Sequence, residues 1–161
     1  MIYLRRTFPI TVVLLLTMAI AACGGSTSSS SSSNRSSTPA TTASGSSAVV
    51  KTATATVKGK AETILTNAQG KTLYHYTSDT ATTSACKGAC AQTWRPLLVT
   101  SGAPTSATTL PGKLSAQTTA NGNQVEYNGH LLYTYVGDSG PGQTNGEGLF
   151  GKWSVTTPNL K

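Results

Sequence analysis

The chain is poor in charge. Only 11% of its 161 residues are Asp, Glu, Lys or Arg, too few for the polar faces of long helices or coiled coils. After one apolar stretch near the start there is no second run of about 20 apolar residues, which excludes a multi-span membrane protein. No basic cluster occurs either. Arg5, Arg6 and Arg35 precede residue 49, and residues 49–161 hold nine Lys/Arg against five Asp/Glu. These cations are scattered singly, as on a solvated surface, and no nucleic-acid partner is expected.

What the chain does have begins at its N-terminus. Arg5 and Arg6 precede an apolar segment over residues 10–20, followed by Ile20-Ala21-Ala22-Cys23. This resembles a bacterial lipobox: small residues suit a narrow peptidase site, and the cysteine thiol accepts the diacylglycerol. Residues 1–22 therefore read as a lipoprotein signal peptide, with Cys23 as the lipidation site that holds the mature chain in the bilayer. Residues 26–47 contain 12 Ser and 4 Thr in 22 positions. Residues 23–48 thus read as the lipidated Cys and a disordered tether, leaving 49–161 as one small domain. The expected location is the outer face of a bacterial cell membrane.

With Cys23 assigned to lipid, Cys86 and Cys90 remain in an oxidising compartment, where a disulfide is the default. On one helical turn their Cα atoms would lie about 6 Å apart, within the permitted range. A metal pair and a redox-active dithiol are the rival readings. Redox pairs more often have two intervening residues.

The folded part repeats itself. Gly70-Lys71-Thr72-Leu73-Tyr74-His75-Tyr76-Thr77-Ser78-Asp79 aligns with Gly129-His130-Leu131-Leu132-Tyr133-Thr134-Tyr135-Val136-Gly137-Asp138 at an offset of 59, which also places Trp94 on Trp153. Two pseudo-repeats follow, at about 61–98 and 120–158. Period-two alternation predicts a strand at 51–57, runs flanking turn residues predict strands at 63–66, 71–77, 124–127 and 130–136, and further strands are read at 114–118 and 153–157. Asn67-Ala68-Gln69-Gly70 and Asn128-Gly129 supply hairpin turns. A short helix over 84–94, capped by Ser84, completes a mainly β domain with at most one or two helical turns. Each copy is a hairpin plus a Trp-bearing segment. Tyr74 and Tyr76 share one strand face, as do Tyr133 and Tyr135, with Leu73 and Leu132 opposite. Asp79 and Asp138 fall just past the strand ends, placed to accept turn N–H groups.

The doubled Tyr-x-Tyr-x-x-Asp signature behind a lipobox resembles the bacterial secreted-repeat lipoproteins with a Y-x-[FWY]-x-x-D motif. Leu73-Tyr74, Cys86-x-x-x-Cys90, Trp94-Arg95-Pro96, Tyr127-Asn128-Gly129, Leu132-Tyr133 and Gly151-Lys152-Trp153 carry the likeness over about 61–158. Arg95 stands where the family usually has Pro. Asn145 and Leu149 stand at the second copy's cysteine positions, so that copy has no disulfide. The resemblance implies compartment and domain limits, and it supplies no catalytic residue.

Candidate chemistry is sparse. Gly137-Asp138-Ser139-Gly140-Pro141, with His75 and Asp79, matches a serine-protease order, but about 113 residues cannot hold two six-stranded barrels. His75 and His130 can meet across strands, although they are not equivalent repeat positions, and lone exposed histidines are the expectation. Residues 138–147 offer oxygen ligands without EF-hand spacing. Tyr127, Trp94 and Trp153, with the motif tyrosines, form either core filling or an aromatic face for a glycan. Core filling is favoured in a chain short of Leu, Ile and Phe. The expectation is a non-catalytic, membrane-anchored binding or structural module, with no cofactor and no assigned metal site. Its partners are the lipid bilayer and a cell-wall glycan or envelope protein. The alternative is a redox or metal-handling accessory using Cys86 and Cys90 or His and Asp ligands.

Overall fold

The computed structural model describes residues 48–161; the lipobox, Cys23 and almost all of the Ser/Thr tether lie outside the described residues. The Ala/Thr alternation forms β1 (Val50–Val57), which pairs along its whole length with β2 (Lys60–Asn67). Lys58 and Gly59 make the turn at φ +48° and +79°. Two successive left-handed residues match the twist of a tight hairpin. This hairpin was not among the expected ones, because Lys-Gly is a weaker signal than Asn-Gly.

Beyond β2 the Asn67–Gly70 turn forms as expected. The Asn67 side-chain oxygen accepts the N–H groups of Gln69 at 3.0 Å and Lys71 at 2.9 Å. Pairing with β2 lasts only to Leu73, whose N–H donates to Leu65 O at 2.9 Å. The chain then enters β3 (Tyr74–Tyr76), followed by α1 (Ala89–Thr93) and β4 (Trp94–Pro96). The second copy runs through β5 (Leu114–Thr119), β6 (Gly122–Tyr127), β7 (His130–Leu131) and β8 (Tyr133–Tyr135). A 3-10 turn (Leu149–Gly151) leads into β9 (Trp153–Val155). The strand expected over 130–136 is broken at Leu132, where the chain passes from one sheet to another.

The four-stranded sheet has the order β4-β8-β3-β9, flanked by the β1-β2 and β5-β6-β7 sheets. Its two central strands are the Tyr strands of the two copies, with Tyr74 opposite Tyr133. The Trp strands are exchanged. β9 of the second copy pairs with β3 of the first, aligning Tyr76 with Trp153, and β4 of the first pairs with β8 of the second, aligning Trp94 with Tyr135. Tyr74, Tyr133, Trp94 and Trp153 pack in one core cluster, while Leu73, Leu132, Val125 and Tyr127 pack in another. The strand alternation therefore serves two cores, one on each face.

The helix is shorter than the expected 84–94. Gly88 at φ +59° stops it on the N-terminal side, and Ser84 is no cap: its buried hydroxyl donates to Cys86 O at 2.8 Å. The Cys86–Cys90 disulfide closes this turn with Cα atoms 5.2 Å apart. In the second copy Asn145 Nδ2 ties the equivalent loop to Gly137 O at 3.1 Å, and Leu149 packs against the core where Cys90 does in the first.

Tyr74 Oη donates to Asp138 Oδ2 at 2.7 Å, and Tyr133 Oη donates to Asp79 Oδ2 at 2.7 Å. Each motif's first tyrosine is thus bound by the other copy's aspartate. Tyr74→Phe should cost about 1.5–3 kcal/mol, the worth of a buried hydrogen bond to a charged partner left without its donor. Equilibrium urea denaturation reads this as a lower midpoint with an unchanged slope.

Candidate functional site

Both aspartates are fully engaged by structure. Asp79 Oδ1 accepts Ala85 N–H at 2.7 Å, and Asp138 Oδ1 accepts Asn145 N–H at 3.0 Å. Burial, and then the carboxylate partner, push the Tyr74 and Tyr133 phenols far above the ordinary tyrosine range. Burial raises the Asp79 carboxyl, opposed by the hydrogen bonds from Tyr133 and the Ala85 and Cys86 amides. The phenols stay protonated donors at any physiological pH.

Four rings stack between these bonds. Tyr76 lies 4.4 Å from Trp153, Trp153 lies 3.7 Å from Trp94 at an interplanar angle of 2°, and Trp94 lies 4.4 Å from Tyr135. Tyr74 and Tyr133 meet Trp94 and Trp153 edge-on, at 5.4 and 5.2 Å. Gly146 must be glycine here, since a Cβ would lie within 2.9 Å of the Trp94 and Tyr74 rings. Trp94 and Trp153 are each only 3% exposed, so their faces are covered by each other and by tyrosine. Of the two readings of these rings, core filling describes Trp94 and Trp153, which present no open face. Tyr127 is not part of this stack at all: it is buried in the opposite core, with its hydroxyl on Pro158 O at 2.7 Å.

The stack meets solvent at its ends. Beside Tyr76 lies a hollow of about 310 Å³ lined by Tyr76, Cys90, Thr93, Trp94, Phe150 and Trp153. Phe150, 84% exposed and at φ +55°, stands on its rim. Sequence reasoning did not single out this residue. Its only signal was an aromatic residue flanked by Gly148 and Gly151. Lys152 Nζ sits 5.9 Å above the Tyr76 ring and donates to Ser78 Oγ.

His75 and His130 do meet, with ring centroids 5.0 Å apart. His75 is buried rather than exposed, with Nδ1 3.3 Å from Thr156 Oγ1. Burial and then the neighbouring His130 push it down to about 4. Among the described residues no three of His, Cys, Asp and Glu come together as a metal-binding group. In the 138–147 segment the carboxylates are taken: Glu147 Oε1 is 2.9 Å from Lys58 Nζ, and Oε2 accepts Val155 N–H at 2.6 Å. His75, Asp79 and Ser139 make no triad, since Ser139 Oγ donates to Gln143 Oε1.

The geometry defines a two-copy β domain whose copies exchange Trp strands and Tyr–Asp bonds. A family model described as a secreted repeat of unknown function matches residues 55–98 and 115–157. The match covers more than half of the chain, which belongs to this family of secreted lipoprotein repeats. Each matched span begins within or at the start of the first hairpin's leading strand, β1 or β5. No curated protein and no solved structure matches the chain.

The histidine gives a pH dependence. Its folded pKa lies below the unfolded value, so the unfolded chain binds the extra proton. This contribution to stability is complete above about pH 6.5 and is lost as pH falls through about 4, amounting to roughly 3 kcal/mol. Denaturation midpoints at about pH 7.5 and 4 should differ more for the native chain than for His75→Gln.

Proposed function

We propose that the chain is a non-catalytic binding module of the cell envelope, facing outward and held in the membrane by acyl chains on Cys23. A cell-wall glycan or an envelope protein is its partner. Phe150 is the observation that carries this reading. A bulky side chain at positive φ is costly in backbone energy, and exposing its ring to water adds to the cost. Nothing in the packing of the domain requires it. A presented ring beside a hollow walled by Tyr76, Trp94 and Trp153 edges suits the apolar face of a sugar or an aromatic side chain.

A catalytic or metal-handling role has less support. Asp79, Asp138 and Glu147 are committed to hydrogen bonds and an ion pair, and Cys86 is wholly buried.

Phe150→Ala should leave the melting temperature unchanged or slightly raised, while weakening sedimentation with insoluble cell-wall glycan about tenfold, the worth of one stacked ring. Equal sedimentation of both proteins would remove the support for this reading. The anchor is tested separately: Cys23→Ser should move the protein from the membrane fraction to the medium or soluble fraction.

A further inference from the structure

The approximate twofold relation between the copies makes two equivalent surface places, and only one is covered. At the repeat offset Gln69 aligns with Asn128, Lys71 with His130, Arg95 with Ser154, Thr134 with His75 and Tyr135 with Tyr76. The strand pairing confirms the equivalence, since Arg95 lies opposite Thr134 and Ser154 opposite His75.

At the second place the chain's own C-terminal segment supplies oxygen atoms to these positions. Asn128 Nδ2 donates to Leu160 O at 2.7 Å, and His130 Nε2 donates to Lys161 O at 3.1 Å. At the first place the 138–142 loop packs to one side, with Gly142 N–H donating to Gly70 O at 3.4 Å, and no terminal segment among the described residues covers the equivalent Gln69 and Lys71. They line an open cavity of about 370 Å³ with Asn67, Arg95, Thr134 and Tyr135. Two cations stand in this wall and no carboxylate does. Lys71 Nζ is positioned by one hydrogen bond to Asp138 O at 2.7 Å, leaving its other N–H groups free. The Arg95 guanidinium is exposed and has neither hydrogen bond nor ion pair to any described residue.

We propose that this cavity binds an oxyanion, carboxylate or phosphodiester, carried on an anionic glycan of the envelope. The proposal rests on the binding-module reading and names its ligand class. Guanidinium presents a fork of N–H donors that matches two oxygens of one anion, and Lys71 adds a fixed charge beside it. Gln69 supplies an amide in the position where Asn128 already holds a carbonyl oxygen. The Tyr135 ring flanks the site as a surface for the sugar that carries the anion.

The test uses the full chain in detergent, titrated with three oligomers: oligogalacturonate, a glycerol-phosphate oligomer and uncharged chitooligosaccharide. Calorimetry should show binding of an anionic oligomer, weakened about tenfold by Arg95→Gln. Raising salt from roughly 0.05 to 0.5 M should weaken it further. Whether the carboxylate or the phosphodiester oligomer binds identifies the source of the anion. Arg95 is exposed, so the variant should keep its near-ultraviolet dichroism, and Arg95→Lys should restore part of the affinity. Failure of both anionic oligomers to bind, or equal affinity for the native chain and Arg95→Gln, overturns the anion site. If chitooligosaccharide still binds in that event and depends on Phe150, the binding-module reading survives without it.

Discussion

Two phenol–carboxylate hydrogen bonds, running in opposite directions between the copies, hold the domain together. Tyr74 gives its proton to Asp138 and Tyr133 gives its proton to Asp79, both at 2.7 Å. A hydrogen bond to an ionised group contributes about 1.5–3 kcal/mol, and leaving either partner buried alone costs a similar amount. One copy by itself would bury a tyrosine without its acceptor and lack the Trp strand that borders its own Tyr strand. The exchanged strands β4 and β9 therefore follow from the same constraint as the exchanged hydrogen bonds. The Trp94–Trp153 stack sits on the approximate axis, 3.7 Å between centroids, and each half supplies one ring.

Much of this was legible in the residues. The repeat, the Asn67–Gly70 and Asn128-Gly129 turns, the opposite facing of Tyr74 and Leu73 and the Cys86–Cys90 pairing all rest on local signals. A local signal extends over a turn or along one strand, and these features do too. Exchange between copies has no such signature. Two identical motifs at a fixed offset are compatible with each aspartate serving its own tyrosine or its counterpart's, and only the sheet order decides. For the same reason the sequence alone groups Tyr127 with the other rings. Aromatic composition does not tell which of two cores a ring enters, and Tyr127 enters the one containing Leu132. The helix over 84–94 failed through Gly88 and through Ser84, whose hydroxyl was drawn into the buried network around Tyr133.

The aspartate of the family signature reads differently once its bonds are known. It accepts turn N–H groups, as a residue past a strand end can, but its second oxygen reaches across the sheet. A carboxylate so fully used has no oxygen left for catalysis or for a metal ion without dismantling the fold. The signature is therefore evidence about architecture.

Activity is better sought where the copies differ. The shared pairs Leu73 with Leu132, Tyr74 with Tyr133 and Trp94 with Trp153 lie in the cores and are needed twice for one structural reason. Positions that have diverged are released from that requirement. Some differences keep the loops in place by other means, as Asn145 and Leu149 do where the first copy has its disulfide. Others have no structural partner. Arg95 against Ser154 places an unneutralised cation at a cavity mouth, and Phe150 raises a ring into water at positive φ. Neither residue is called for by the packing that the two copies share. The repeat builds a rigid frame, and the proposed binding role rests on the residues that break its symmetry without repairing anything.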